Sequence, residues 1–213
     1  MKYKLVLFDM DGTLLDGRTI YMFAEKIGFK DELKHILKID KKFYEITIEI
    51  AKFLKGYKKE ELITIFRTIP LQKDVELVIN ELKKRNIKTA IVTDSYHFVA
   101  DDLKKRLGID YTYANKLISV NGRFNGGIII NNHELIKDYI SDEIYSICKS
   151  CVLEKLCNIL SISEKETIAI GDGIVDISML DKAGLGIAFN ASEKIQKHAD
   201  VTSNKIISLL NYI

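Results

Sequence analysis

The sequence predicts an α/β protein, a doubly wound parallel sheet with an all-helical insertion and a β-hairpin. Three observations lead there. Residues 3–8, 87–92, 167–170 and 185–188 are short apolar runs that alternate too little for half-exposed strands and read as strands buried on both faces. Between most of them lie stretches of helical period, and repeated β-α units imply parallel strands joined by right-handed crossovers. From about residue 16 to 69 the strand period disappears and only the helical one remains.

Taken in order, residues 3–8 form the first strand. Phe23 and Ile27, then Leu33 and Leu37, then Ile46, Ile50, Phe53 and Leu54, and finally Leu62, Ile65, Phe66 and Ile69 recur at three- and four-residue spacing. They predict four short helices that close near Pro70, the single proline, which disfavours helix at the residue before it. The domain division expected is a core of residues 1–15 and 71–213 with a cap of residues 16–70. Residues 75–85 read as a helix, 87–92 as a strand, 98–107 as a helix stopped by Gly108, and 111–114 as a short strand. Asn121-Gly122 between residues 117–120 and 124–130 is a hairpin signal, so two antiparallel strands are expected to leave the parallel sheet here. A helix over 149–160, a strand over 167–170, a helix over 177–183, a strand over 185–188 and a final helix near 206–213 complete the chain.

A length of 213 residues, 47% of them hydrophobic, is enough for one sizeable core and a small insertion. The net charge is only +2 and the lysines are dispersed, with Lys83, Lys84 and Arg85, and again Lys104, Lys105 and Arg106, at helix ends that favour cations. Nucleic-acid binding is therefore not expected. No apolar run approaches the roughly 20 residues that span a bilayer, and residues 1–8 lack the features of a signal peptide, so no membrane partner and a cytoplasmic location are expected. Cys148, Cys151 and Cys157 form an odd set without a second cluster to complete a zinc site, and are expected to be reduced thiols on one helix.

The chemistry gathers where strands end. Asp9 and Asp11 follow the first strand, at the carboxyl edge where open α/β sheets bind ligands. Two carboxylates so placed repel, and need a cation between them or a proton on one; the plainer alternative is an Asp-rich turn that caps the next helix. The second strand runs into Thr93, Asp94 and Ser95, a later one into Gly171, Asp172 and Gly173 with Asp176 four residues beyond Asp172, and Lys149 begins a helix. Such a set suits phosphoryl transfer, because an anionic ester resists an anionic nucleophile until positive charge surrounds it. Asp9 can attack phosphorus to give an aspartyl-phosphate, and Asp11 can protonate the leaving oxygen and later deprotonate the attacking water.

In this order, Asp9-Met10-Asp11-Gly12-Thr13, Thr93, Lys149, and Gly171-Asp172 with Asp176 resemble the four motifs of the haloacid dehalogenase superfamily, and within it the phosphoserine phosphatase branch with a small helical cap on a Rossmann-like core. The resemblance implies a Mg²⁺-dependent phosphatase of a small phosphorylated metabolite, with the metal on the Asp9 carboxylate, the Asp11 backbone carbonyl and Asp172, and Asp176 in support. It further implies that Thr93 and Lys149 hold the transferring phosphoryl group, and that Met10, Gly12, Thr13, Arg18 and Asp94 line the phosphate and substrate site.

The departures from that pattern concern the substrate. Arg18 stands where the branch places a glutamate suited to the ammonium of phosphoserine, and the stretch Ile46-Thr-Ile-Glu-Ile-Ala lacks the arginine that would take its carboxylate. A cation repels an amine and draws an anion, which argues against free phosphoserine; solvated Arg18 on the cap is the plain alternative. Thr93-Asp94-Ser95 replaces Ser-Gly-Gly, which is similar to phosphotransferases of the phosphoserine:homoserine type, and Val175 replaces an asparagine. Transfer to an alcohol acceptor, a non-catalytic phosphate-binding module and dehalogenation are the other classes. The module is disfavoured because its phosphorylated Asp would sit on a later strand, and dehalogenation because a halide needs neither proton nor metal to leave. His97 at a helix start, and Asp94 as that helix's cap, are expected to have structural uses, and His35, His133 and His198 show no ligand pairing.

Overall fold

Seven strands form one sheet in the order β4-β3-β2-β1-β5-β6-β7 in this computed structural model, which describes residues 2–213. The strands are β1 (Leu5–Phe8), β2 (Lys88–Tyr96), β3 (Tyr111–Val120), β4 (Arg123–Ile129), β5 (Thr167–Gly171), β6 (Leu185–Phe189) and β7 (Val201–Ser203). All neighbours are parallel except β3 and β4. The predicted α/β fold is therefore the one observed, and β1, β2, β5 and β6 are buried along nearly their whole length.

Alternation explains that burial. Leu5 and Leu7 of β1 face a core made with Val152, Leu153 and Leu156 of α7 (Lys149–Leu160) and Met179 and Leu180 of α8 (Ile177–Lys182). Val6 and Phe8 face the opposite core, with Val78 and Leu82 of α5 (Val75–Lys84) and Val99 and Leu103 of α6 (His97–Leu107). Helices on both faces leave no polar side to the strands, which is why their sequences do not alternate.

The insertion carries α1 (Thr19–Ile27), α2 (Lys30–Ile36), α3 (Phe43–Ala51), which runs on as a 3₁₀ turn over Lys52–Leu54, and α4 (Lys59–Phe66). It leaves and rejoins the sheet side by side: Asp16 N–H donates to the Pro70 carbonyl and Gln72 N–H to the Leu14 carbonyl, each at 2.9 Å. Its far end rests on β4, where Gly56 and Phe124 share a 2.8 Å backbone hydrogen bond.

Four details differ from the sequence expectations. The segments expected as a short parallel strand and the first hairpin strand are one continuous β3, parallel to β2 at its start and antiparallel to β4 from Lys116 onward. Only β4 turns against the sheet, through Asn121 and Gly122, both at positive φ. Strand β2 extends to Tyr96, past the polar residues that suggested its end, because Ser95 and Tyr96 are buried. The last seven residues before Ile213 form a 3₁₀ helix rather than an α-helix. Among the described residues no helix is long and apolar enough to cross a membrane.

Cys148 and Cys151 are not reduced thiols but a disulfide, with Cys157 free and buried. Cys148 lies at the N-cap, outside the helix, so its backbone is extended and its sulfur folds over the first turn to the residue three positions on; the Cα atoms are 5.3 Å apart. A reading that put all three cysteines inside one helix could not anticipate that contact.

Candidate active site

Strand order reverses at β1. The chain builds β2, β3 and β4 on one side of it and returns through α7 to build β5, β6 and β7 on the other. A crevice forms at the carboxyl ends where the two directions part, the place at which such sheets bind ligands. Asp9 is the residue after β1, with its N–H donating to the Ile170 carbonyl at 2.9 Å; Asp172 follows β5; Thr93 lies on β2.

The buried Lys149 ammonium joins the end of β1 to the turn after β5. It donates to Asp9 Oδ1 and to Asp176 Oδ1, both at 2.6 Å, and Lys149 is only 2% exposed. A cation at the first residue of a helix opposes the helix dipole, and here the two carboxylates offset that cost. Burial also works against its charge, yet Asp176 and Asp9 hold the ammonium far above its usual range. Asp9 itself is pushed well up, chiefly by burial, with the Asp176, Asp172 and Asp94 charges adding and Lys149 opposing.

Asp172 accepts from Arg18 Nη2 at 2.5 Å and from Thr13 Oγ1 at 3.2 Å. Two glycines make room for these acids. A Cβ on Gly12, whose φ is +95°, would stand 2.6 Å from Asp172 Oδ2, and one on Gly171 would stand 2.3 Å from Asp176 Cγ. Asp176, at the end of a 3₁₀ turn over Ile174–Asp176, is fixed from its other oxygen by the Gly173 N–H at 2.8 Å.

Asp11 is held differently. Its Oδ1 accepts from Thr19 N–H at 3.0 Å and Thr19 Oγ1 at 2.6 Å, so it does cap α1, the plainer use the turn suggested. The sequence reading missed Thr19; its only signal was its place just after Arg18, at the first polar residue of a helix. Burial pushes the Asp11 carboxyl up to about 6, against the pull of Thr19. A carboxyl near that value changes protonation at working pH, which suits a group that must both give and take a proton.

Thr93 is fully buried, and its Oγ1 accepts from Ser95 N–H at 3.1 Å. Asn115, also missed, ties this strand end to α7: its Nδ2 donates to the Asp94 carbonyl at 2.6 Å and to Ser146 Oγ at 2.8 Å, two residues before the N-cap of α7. Asp94 is exposed and caps nothing; α6 begins at His97 after Tyr96, with no side-chain cap. The Met10 side chain is buried in the core, which leaves only its backbone for the crevice. Val175, next to Asp176, packs against the core under α7 and α8. His97 is a helix start, half-exposed and turned toward Asp101 at 3.9 Å.

A small cavity of about 90 Å³ lies between Asp11 and the insertion, lined by Asp94, Ser95 and Tyr96 from β2 and by Ile20, Thr47 and Ile50 from α1 and α3. Ile50 belongs to the stretch where the sequence lacked an arginine. Arg18 does not line this cavity; it stays paired with Asp172, its side chain 45% exposed.

Oxygens of Asp9, Asp172 and Asp176 come within 4.8 Å of one another. Around them five carboxylates, with Asp11 and Asp94, face two cations, Lys149 and Arg18. Hard oxygen donors in excess over local positive charge fit a small divalent cation such as Mg²⁺.

The family model described as haloacid dehalogenase-like hydrolase matches residues 6–181. A phosphoserine phosphatase of Methanocaldococcus jannaschii is 34% identical over 218 residues, covering 100% of this chain and 98% of that protein. One of Campylobacter jejuni subsp. doylei is 30% identical, covering 93% of this chain and 92% of that protein. A solved phospho-aspartyl intermediate analogue of phosphoserine phosphatase superposes with a TM-score of 0.83 at 32% identity over the whole of both chains. A substrate-bound phosphoserine phosphatase complex gives 0.84 at 32% identity, over 100% of this chain and 99% of that one.

Proposed function

The chain belongs to the haloacid dehalogenase-like hydrolases and is a phosphoric monoester hydrolase of their phosphoserine phosphatase-like branch; from that premise we propose a Mg²⁺-dependent phosphomonoesterase that works through an aspartyl-phosphate on Asp9. The observation that carries this reading is the buried Lys149 ammonium drawing Asp9 and Asp176 to the crevice at the switch point of the sheet. Lys149 engages one oxygen of Asp9 and leaves the other to attack. As that oxygen bonds to phosphorus, the bond to the leaving alcohol breaks, and Asp11, oriented by Thr19, protonates the departing oxygen. Asp11 then takes a proton from the water that attacks the acyl-phosphate, which frees phosphate and restores both aspartates.

Thr93, Lys149 and the backbone of Met10, Gly12 and Thr13 hold the phosphoryl oxygens. The Asp9 carboxylate, the Asp11 carbonyl, Asp172 and Asp176 would hold Mg²⁺, which when bound would supply positive charge against the negative charge of the phosphoryl group. Residues 16–70 act as a cap over the core of residues 1–15 and 71–213, moving on the paired connections at Leu14–Asp16 and Pro70–Gln72 and keeping water out until the acyl-phosphate has formed.

The substrate is a small phosphate monoester whose leaving group carries no ammonium. The 90 Å³ cavity admits only a few heavy atoms, Ile20 and Ile50 give its cap side an apolar wall, and the part-exposed Arg18 guanidinium, close to Asp172, Asp9 and Asp11, attracts a carboxylate or second phosphate. Phosphate release from phosphoserine, phosphoglycolate, sugar phosphates, nucleotides and p-nitrophenyl phosphate tests this, with Mg²⁺ and with chelator. Metal-dependent release that Asp9→Asn abolishes supports the mechanism, and phosphoserine as the best ester overturns the substrate class. Release only when an alcohol acceptor is added overturns hydrolysis in favour of transfer.

A further inference from the structure

The Cys148–Cys151 disulfide takes no part in the phosphoryl chemistry, yet it brackets Lys149 and opens on a separate cleft. That cleft holds about 510 Å³ between the β3–β4 hairpin, the segment after it and the start of α7. Both bridged residues line it and are partly exposed. Of the lysines, histidines and acids in its lining, Lys116, Lys155, His97 and His133 stand against the single Glu134, an excess of basic groups. We propose that Cys148 and Cys151 form a thiol–disulfide exchange site, reached through this cleft by a small thiol of net negative charge, and that its redox state acts on Lys149.

The chemistry follows from the helix start. Cys151 N–H donates to Cys148 Sγ at 3.4 Å, so negative charge on Cys148 meets a backbone donor and the positive end of α7. Cys148 is thus the better leaving group, and the incoming thiolate attacks Cys151 Sγ. A mixed disulfide forms at Cys151, the Cys148–Cys151 bond breaks, and Cys148 leaves as thiolate and takes a proton from water. A second small thiolate attacks the small-molecule sulfur of the mixed disulfide and releases Cys151. The protein gains two electrons and two protons, and two thiols become one small disulfide. Cys157 stays apart, since burial pushes its thiol up to about 11.

The effect on Lys149 rests on the role given to it above. The bridge spans the turn from which its side chain reaches Asp9 and Asp176, and opening the bridge frees that turn to fray. Native oxidised protein is treated with glutathione, 2-mercaptoethanol or cysteamine at equal thiolate concentration, quenched with a maleimide and weighed. Two labels per chain are expected, at Cys148 and Cys151, with glutathione about five-fold faster than cysteamine and the difference collapsing in 1 M salt and in Lys116→Glu/Lys155→Glu. No label under native conditions, or rates blind to thiol charge, overturns the exchange site. In parallel, kcat on p-nitrophenyl phosphate is expected to fall two- to five-fold on reduction with KM unchanged, and Cys148→Ser/Cys151→Ser to show the lower value with or without thiol. Equal kcat in the two redox states overturns the link to Lys149. Labelling needs no turnover, so failure of the phosphatase reading leaves the exchange result decisive.

Discussion

Replacing Asp11 with asparagine should abolish turnover and stabilise the protein, by an amount that depends on pH. The amide of Asp11→Asn keeps an oxygen for Thr19 N–H and Oγ1 to donate to, so the cap on α1 survives, while the buried charge is gone. In the native protein burial raises the Asp11 carboxyl from 3.8 to about 6, so the folded state binds that proton more tightly than the unfolded one. A raised folded value contributes stability that is complete below the unfolded value and lost as pH climbs through the folded one. The shift corresponds to about 3 kcal/mol, all of it lost by pH 8. Asp11→Asn does not titrate, so its advantage over the native protein should be only about 0.5 kcal/mol at pH 4 and approach about 3 kcal/mol at pH 8. For a chain of this size that is a rise in Tm of about 6–12 °C. Urea titrations and thermal scans of both proteins in chelator at pH 4, 6 and 8 measure it. A stability difference that does not grow between pH 4 and 8 would refute the argument that Asp11 is held ionised at a cost. Phosphate release should fall at least 100-fold at every pH, as expected for a lost general acid–base group.

Exchanging the charge of Arg18 with Arg18→Glu should raise kcat/KM for phosphoserine at least ten-fold relative to a carboxylate-bearing ester such as phosphoglycolate, a change in preference of about 1.4 kcal/mol or more; an unchanged ratio in steady-state assays would place Arg18 outside substrate recognition. Lys149→Met leaves Asp9 and Asp176 facing one another without their ammonium, and should cost about 3–5 kcal/mol at pH 7 in urea unfolding. Asp9, which burial already pushes well up, loses the opposing pull of the ammonium and takes up a proton more readily when folded than unfolded, so that loss should shrink toward pH 4. Gly171→Ala drives a Cβ into Asp176, and should cost about 1–3 kcal/mol and most of the activity; a variant with native activity and stability would show that Asp176 can move without consequence.

The strands and helices of the core were legible because their cause is local. Continuous apolar runs such as that at β1, the positive-φ pair Asn121-Gly122 and the helix stop at Gly108 each record a constraint that acts within a few residues. The site's composition was legible for a related reason. Asp9 and Asp172 each follow an apolar strand, and strand ends in a parallel sheet share one edge whatever the packing, so these two had to come together. Partners could not be read this way. That Lys149 spans 140 residues to Asp9 and bridges it to Asp176, that Arg18 turns in to Asp172, and that Thr19 rather than solvent meets Asp11 follow from how α7 and α1 pack on the sheet. Nor could the continuity of β3, since a strand's length is set by its neighbours β2 and β4 and not by its own pattern. The Cys148–Cys151 pairing turned on a single residue's backbone lying outside the helix rather than within it. Sequence determined which groups reach the carboxyl edge of the sheet. Tertiary structure decided which of them touch, because burial and charge depend on distances that only packing sets.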